Sequence, residues 1–263
     1  MTTQKPPTVI KIGGNEIDDP QFLGRLVQTV RTLLDTTQPV IVHGGGKEIA
    51  QLHAQMEVPF ETVQGLRVTS ADSLRLVEMV LSGLVNTRVV RWLVNGGVDA
   101  IGLTGVDFNL VQVDRLQIAG ADLGYVGRVT AVRTAPLRGL LDQGLVPVIS
   151  PISLGEDGQT YNVNADHVAA AIAHSLGASR LVMVSNVPGV LIAGRPVRAL
   201  TVDQVEELIA EGHITGGMIP KVRSAMDAVQ GGVYQAVITD LAGLANNGGT
   251  AIVNSLWVGA AGE

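Results

Sequence analysis

Two lysines stand where stability alone gives little reason for them. Lys11 interrupts the apolar run TVIKIGG (8–14), just before a pair of glycines. In a strand buried on both faces a lysine costs several kcal/mol unless an anion meets its charge; on an edge strand it could reach water instead. Lys221 follows Pro220 in ITGGMIPKVRSAMDAV. Proline suits the first turn of a helix, and a cation there opposes the helix dipole. A neighbouring anion would reverse that penalty, while a solvated surface lysine is the plain alternative. Between them, YNVNADHVAA (161–170) carries two amides and a carboxylate at a loop-to-helix junction. Asn164 can cap the helix and Asp166 can favour its N-terminal dipole, which leaves Asn162 unexplained. Placed between the two lysines, Asp166 would hold them by charge-assisted hydrogen bonds.

PVIVHGGGKEI (39–49) resembles a phosphate loop without being one. The Walker pattern requires Ser or Thr after the lysine and a glycine five residues before the last one; Glu48 and Ile41 stand there instead. What remains is a strand, a glycine turn and a helix, which suits a phosphate, a carboxylate or simply a tight turn. Arg67, in VQGLRVTSAD, could fork onto a carboxylate, although most loop arginines are merely solvated. His43, His53 and His174 show no metal-ligand spacing. The serine-hydrolase elbow is absent, and so is a dinucleotide fingerprint after the first strand.

The elements that must position these residues alternate along the 263-residue chain. Strands are expected at 8–14, 39–45, 100–105, 146–152, 180–189, 235–240 and 250–253, with an antiparallel pair in NLVQVDR and GYVGRVTAVR. Helices are expected at 20–34, 47–56, 70–94, 164–176, 201–211 and 217–230, with a turn at EDGQ (156–159). Buried strands alternating with helices imply a mainly parallel sheet covered on both faces, with ligands at the carboxyl ends of its strands. The suspicious residues sit at such ends: Gly13-Gly14, Gly44 to Gly46, Gly102 to Gly105 and Ser185-Asn186. A 46% hydrophobic, 16% charged composition is globular, and with 3% aromatics the core must be aliphatic. A net charge of -6 argues against nucleic acid or an anionic membrane as main partner, and no cysteine is present for disulfides or thiolate chemistry. Without a leader-like or membrane-length apolar segment, a cytoplasmic protein is expected.

Read together and in order, VIKIGGN, VIVHGGGKE, QGLRVT, NVNAD, SNVPGV and GGMIPK resemble the amino acid kinase family, from about Thr8 to Val253. Within it, the blocks are most similar to the members that phosphorylate N-acetyl-L-glutamate. The resemblance implies a three-layer αβα sandwich in a single domain, with an N-terminal lobe of about 8–178 for acceptor and dimerisation and a C-terminal lobe of about 179–263 for nucleotide. It implies Lys11 and Lys221 as catalytic cations with Asp166 organising both. Gly45, Gly46, Arg67 and Asn162 would bind the acceptor. Gly13, Gly14, Asn186, Val187, Pro188, Gly189, Val190, Leu191, His213, Ile214 and Thr215 would bind ATP, with Mg2+ carried on its phosphates and no protein metal site. The implied reaction is transfer of the γ-phosphoryl group to the acceptor's γ-carboxylate, in arginine biosynthesis.

Two residues depart from the family pattern near what is expected to be the nucleotide side: Asn186, where Asp is common, and Val106, where Lys is common. The short stretch before Thr8 lacks the long helix of arginine-inhibited relatives, so an arginine-insensitive homodimer is expected. A regulator of the PII type finds no test in the sequence. Competing readings are a kinase for carrier-bound aminoadipate or glutamate, and a non-catalytic sensor on the same fold.

Overall fold

The computed structural model describes residues 5–14, 16–59, 61–63 and 66–254. Asn15 of the first block, Gln64 and Gly65 of QGLRVT, and the last nine residues of the expected C-terminal lobe lie outside the described residues.

Eight strands build the central sheet: β1 (Pro7–Ile12), β2 (Gln38–His43), β3 (Ala100–Thr104), β4 (Val146–Ser150), β5 (Arg180–Val184), β6 (Ala199–Thr201), β7 (Gln235–Thr239) and β8 (Thr250–Val253). Their spatial order is β6-β8-β7-β5-β1-β2-β4-β3. From β7 to β3 all neighbours run parallel; β8 is antiparallel to β7 and carries β6 with it. The expected αβα sandwich with a mainly parallel sheet is therefore present. From β1 the chain moves outward to β2, and it returns on the other side of β1 at β5. The carboxyl ends of β1, β2 and β5 thus border the point where winding reverses, which is where an open α/β sheet leaves a crevice.

Strand alternation divides the core. Val9, Val42, Leu181 and Met183 pack on one face with helices at 134–142, α3 (Ala165–Leu176) and α4 (Met218–Gln230). Ile10, Ile12, Ile41 and Val182 pack on the other, against α1 (Pro20–Leu33) and the helical run 71–95. Lys11 shares the face of Val9 and so points toward α3. No helix is long and apolar enough to span a membrane among the described residues.

Several expectations shift in detail. Pro151 splits the anticipated 146–152 strand, leaving Ile152–Gly155 to enter a second sheet with Thr160–Asn162, Val111–Arg115 and Gly127–Val132. The EDGQ turn closes the antiparallel hairpin between its first two members. The long helical pattern is one run, but it contains a π segment at Met79–Val85. The helix Thr134–Asp142 and strand β6 had no counterpart in the sequence reading.

Candidate active site

Three parallel strands end beside one another. β1 runs into Gly13 and Gly14, β2 into Gly44 to Gly46, and β5 into Ser185 and Asn186. None of these five glycines has a positive φ, so conformational freedom is not why they are glycine. Close approach is. A Cβ on Gly14 would lie 2.4 Å from the Gly46 nitrogen and 2.6 Å from that of Gly45, so the two turns pack backbone against backbone. A Cβ on Gly45 would meet Leu81 at 2.8 Å. The turns and the ends of β1 and β5 border a cleft of about 610 Å³, together with Lys11, Asp166 and Lys221.

Lys11 Nζ lies 2.9 Å from Asp166 Oδ1, and both side chains are about one-fifth exposed. Asp166 sits in the first turn of α3, where Asn164 Oδ1 accepts the Asp166 N–H at 2.8 Å. Asn164 is thus a helix cap, as its position suggested. Lys221 lies in the first turns of α4, and its Nζ donates to Ser185 Oγ at 3.1 Å and Asn186 Oδ1 at 3.2 Å. Among the described residues Asp166 forms an ion pair with Lys11 and none with Lys221. Lys221 is therefore held by neutral oxygens at the end of β5. In the sequence Ser185 is marked only by its place at a strand end, with no role assigned; its hydroxyl is a partner of Lys221.

Helix starts add to the field. The first residues of α2 (Gly46–Gln55), α3 and α4 all line the cleft, and helix N-termini present N–H groups and partial positive charge. Two lysines and three helix starts around a strand-end crevice make a site for a multiply charged anion. Its N–H and ammonium groups suit phosphate oxygens, and the carboxylates of Glu16 and Asp166 also line the cleft. No cluster of three His, Asp or Glu side chains that could hold a metal occurs among the described residues.

Gly44 to Gly46 also border a second cleft of about 330 Å³, lined by Arg67, Asn162 and Val126 among others. Arg67 lies in the short ribbon Leu66–Arg67 with Thr62–Val63. Burial lowers the pKa of its guanidinium, which starts so high that it stays a cation at neutral pH. Asn162 Nδ2 donates to Thr69 Oγ1 at 3.2 Å, which fixes the amide at the wall of this compartment. The glycine turn is thus shared by a cationic cleft and a smaller compartment lined by Arg67 and the amides of Asn162 and Asn164.

The loops expected to hold a nucleotide are arranged differently. Asn186 lines the larger cleft, whereas Val187 to Leu191 and His213 to Thr215 line neither. Val190 and Ile214 belong to the hydrophobic core, at 1% and 2% exposure. Their side chains anchor the loops, leaving only their backbones for any ligand. Leu191, Pro188, His213 and Thr215 are exposed. Gly189 has φ 146° and abuts Thr250, whose Oγ accepts the Val190 N–H at 2.8 Å. Val106 was expected near the nucleotide side; it follows the edge strand β3, four strands from β5, and packs on the core.

Comparison with known proteins gives the same family as the six sequence blocks. The sequence profile described as "Amino acid kinase family" matches residues 6–240. The chain is 51% identical over 248 residues to "Acetylglutamate kinase" of Roseiflexus sp. (strain RS-1), covering 94% of each. It is 53% identical over 245 residues to "Acetylglutamate kinase" of Chloroflexus aurantiacus (strain ATCC 29366 / DSM 635 / J-10-fl), covering 92% of this chain and 95% of that one. Among solved structures, smu.665 from Streptococcus mutans UA159 superposes with a TM-score of 0.79 at 35% identity, covering 94% of this chain and 98% of that one. The profile spans β1, β2 and β5, both glycine turns and both lysines of the cleft, and the chain belongs to the amino acid kinase family.

Proposed function

We propose that the protein transfers the γ-phosphoryl group of ATP to the γ-carboxylate of N-acetyl-L-glutamate, a step of arginine biosynthesis. Half-identity over nearly the whole length to acetylglutamate kinases carries this reading. The geometry supports it through the glycine turn shared by the cationic cleft and the Arg67 compartment. A carboxylate oxygen attacks the γ-phosphorus, the bond to the β,γ-bridging oxygen breaks, and ADP leaves with that electron pair. The product is N-acetyl-L-glutamyl 5-phosphate. The attacking carboxylate is already ionised at neutral pH, so positioning and charge neutralisation matter more than a base.

Lys11 and Lys221 would meet the charge on the transferring group, with Asp166 fixing Lys11 and Ser185 with Asn186 fixing Lys221. Gly13, Gly14, Gly45 and Gly46 would offer backbone N–H groups, and Mg2+ would enter on the phosphates of its substrate nucleotide. Asn186 and the backbones of 187–191 and 213–215 would border that nucleotide. The stretch 8–178 would serve acceptor and dimerisation, and 179–263 the nucleotide. Dependence on ATP supports a cytoplasmic location.

The test is ATP-dependent acyl-phosphate formation, trapped with hydroxylamine, on N-acetylglutamate beside glutamate, aspartate and N-acetylaminoadipate. Turnover on N-acetylglutamate alone is expected; none on any free amino acid, from folded protein that binds ATP, sinks the reading. Arg67 would clasp the acceptor's α-carboxylate. Arg67→Ala should then raise KM for N-acetylglutamate about 10- to 100-fold, the worth of a charge-assisted hydrogen bond, with a smaller change in kcat. Arg67→Lys keeps the charge without the fork and should fall between.

A homodimer is the proposed assembly. Met79 and Leu84, on the π segment, are 61% and 52% exposed, and a second copy packing there would cover both. Sedimentation should give about twice the 27.4 kDa chain mass, and Leu84→Glu should shift it toward monomer. A wild-type monomer or hexamer would contradict this.

A further inference from the structure

Nothing in that chemistry uses His43, yet it is the last residue of β2, fully buried and next to the shared glycine turn. Its Nδ1 lies 3.0 Å from the Gly44 carbonyl oxygen, and its Nε2 lies 3.1 Å from Asn86 Nδ2. A carbonyl oxygen only accepts and an amide nitrogen only donates. The ring must therefore carry its hydrogen on Nδ1, donate to Gly44, and accept from Asn86. Burial lowers its pKa to about 4, so it is neutral at working pH. Asn86 Nδ2 also donates to the Val148 carbonyl at 2.9 Å, which ties the pair to β4. Room for the amide comes from Gly102, where a Cβ would lie 2.1 Å from Asn86 Oδ1. Asn86 immediately follows the π segment, a helix irregularity that often accompanies functional sites.

We propose that His43, braced by Asn86, is a positioning residue for phosphoryl transfer: by clamping the Gly44 carbonyl it aims the Gly45 N–H into the cleft. The Gly44 C=O and the Gly45 N–H belong to one peptide plane, and in a trans peptide they point in opposite directions. Holding the oxygen on His43 turns the N–H away from it. The Gly45 nitrogen lies beside Gly14, on the cleft side, and its N–H makes no backbone hydrogen bond among the described residues. An N–H donor fixed in advance toward developing charge needs no reorganisation during reaction, which is where such donors act most strongly.

The inference rests on the transfer reading, so wild-type turnover is measured first. Wild-type chain without turnover sinks that reading itself; active wild type with an unimpaired His43→Leu variant sinks only the positioning role. His43→Leu should lower kcat about 100-fold, as for loss of one such donor, with KM for both substrates within about threefold. His43→Asn places an amide nitrogen where Nδ1 was and should recover to within about tenfold of wild type, whereas His43→Gln, which reaches only the Nε2 position, should not. Equal loss in all three variants, or a loss confined to KM, overturns the proposal. Nitrogen-15 NMR of the wild-type imidazole gives a test that needs no variant to fold: the Nδ1–H tautomer of His43 is expected, and the Nε2–H tautomer would overturn it.

Discussion

Lys11→Met should lower kcat on N-acetylglutamate by about a thousandfold, the scale found when one fixed donor or cation is removed from a transferring group. KM for the acceptor should change little, because the charge Lys11 meets grows in the transition state. Its stability effect should differ from that of Lys221→Met. Removing Lys11 leaves Asp166, about one-fifth exposed, without its ion-pair partner, which should destabilise the fold by about 1–3 kcal/mol. Among the described residues the Lys221 ammonium donates to a hydroxyl and an amide oxygen, a role that water can take over. Its loss should therefore leave the urea midpoint nearly unchanged while turnover falls by a similar factor. The double variant Lys11→Met with Asp166→Leu removes both charges and should regain stability but not activity. Turnover of Lys11→Met within tenfold of wild type would defeat the assigned role.

That asymmetry between the lysines shows how far residue types alone could reach. Lys11 was legible because a charge inside an apolar strand has few explanations, and the structure gives it both a cleft and a carboxylate. The same reasoning placed Asp166 between two lysines, but it could not say that only one is close enough to pair. That distance depends on how α3 and α4 pack, and no local pattern encodes it. The parallel sheet was legible from apolar runs broken by glycine. β6 was not, since a three-residue edge strand has too little pattern to register. Val190 and Ile214 lay in stretches expected to touch nucleotide, yet their apolar side chains went to the core. A motif names a segment, and burial decides which of its atoms face the ligand. His43 was set aside for lack of a metal-like spacing; its partner Asn86 lies far along the chain and meets it only through the tertiary fold.

Gly14→Ala is expected to have the other large effect, because it tests the contact that joins the two turns. The added methyl would lie 2.4 Å, 2.6 Å and 2.8 Å from the Gly46 nitrogen, the Gly45 nitrogen and the Gly45 Cα. All three are backbone atoms, so no side chain can swing aside, and the turns must separate by roughly 1 Å to reach ordinary contact. Overpacking of this kind destabilises by about 1–3 kcal/mol. A displacement of that size in positioning groups lowers turnover about 100-fold. Gly24→Ala is the matched control. Gly24 lies inside α1, a Cβ there meets nothing within 4 Å, and a helix interior gains up to about 1 kcal/mol from the exchange. One substitution chemistry should thus lower the melting temperature at position 14 and raise it at position 24. If Gly14→Ala melts and turns over like wild type, the turns can part without consequence, and close backbone packing is not what aligns the glycine N–H groups with the phosphoryl group.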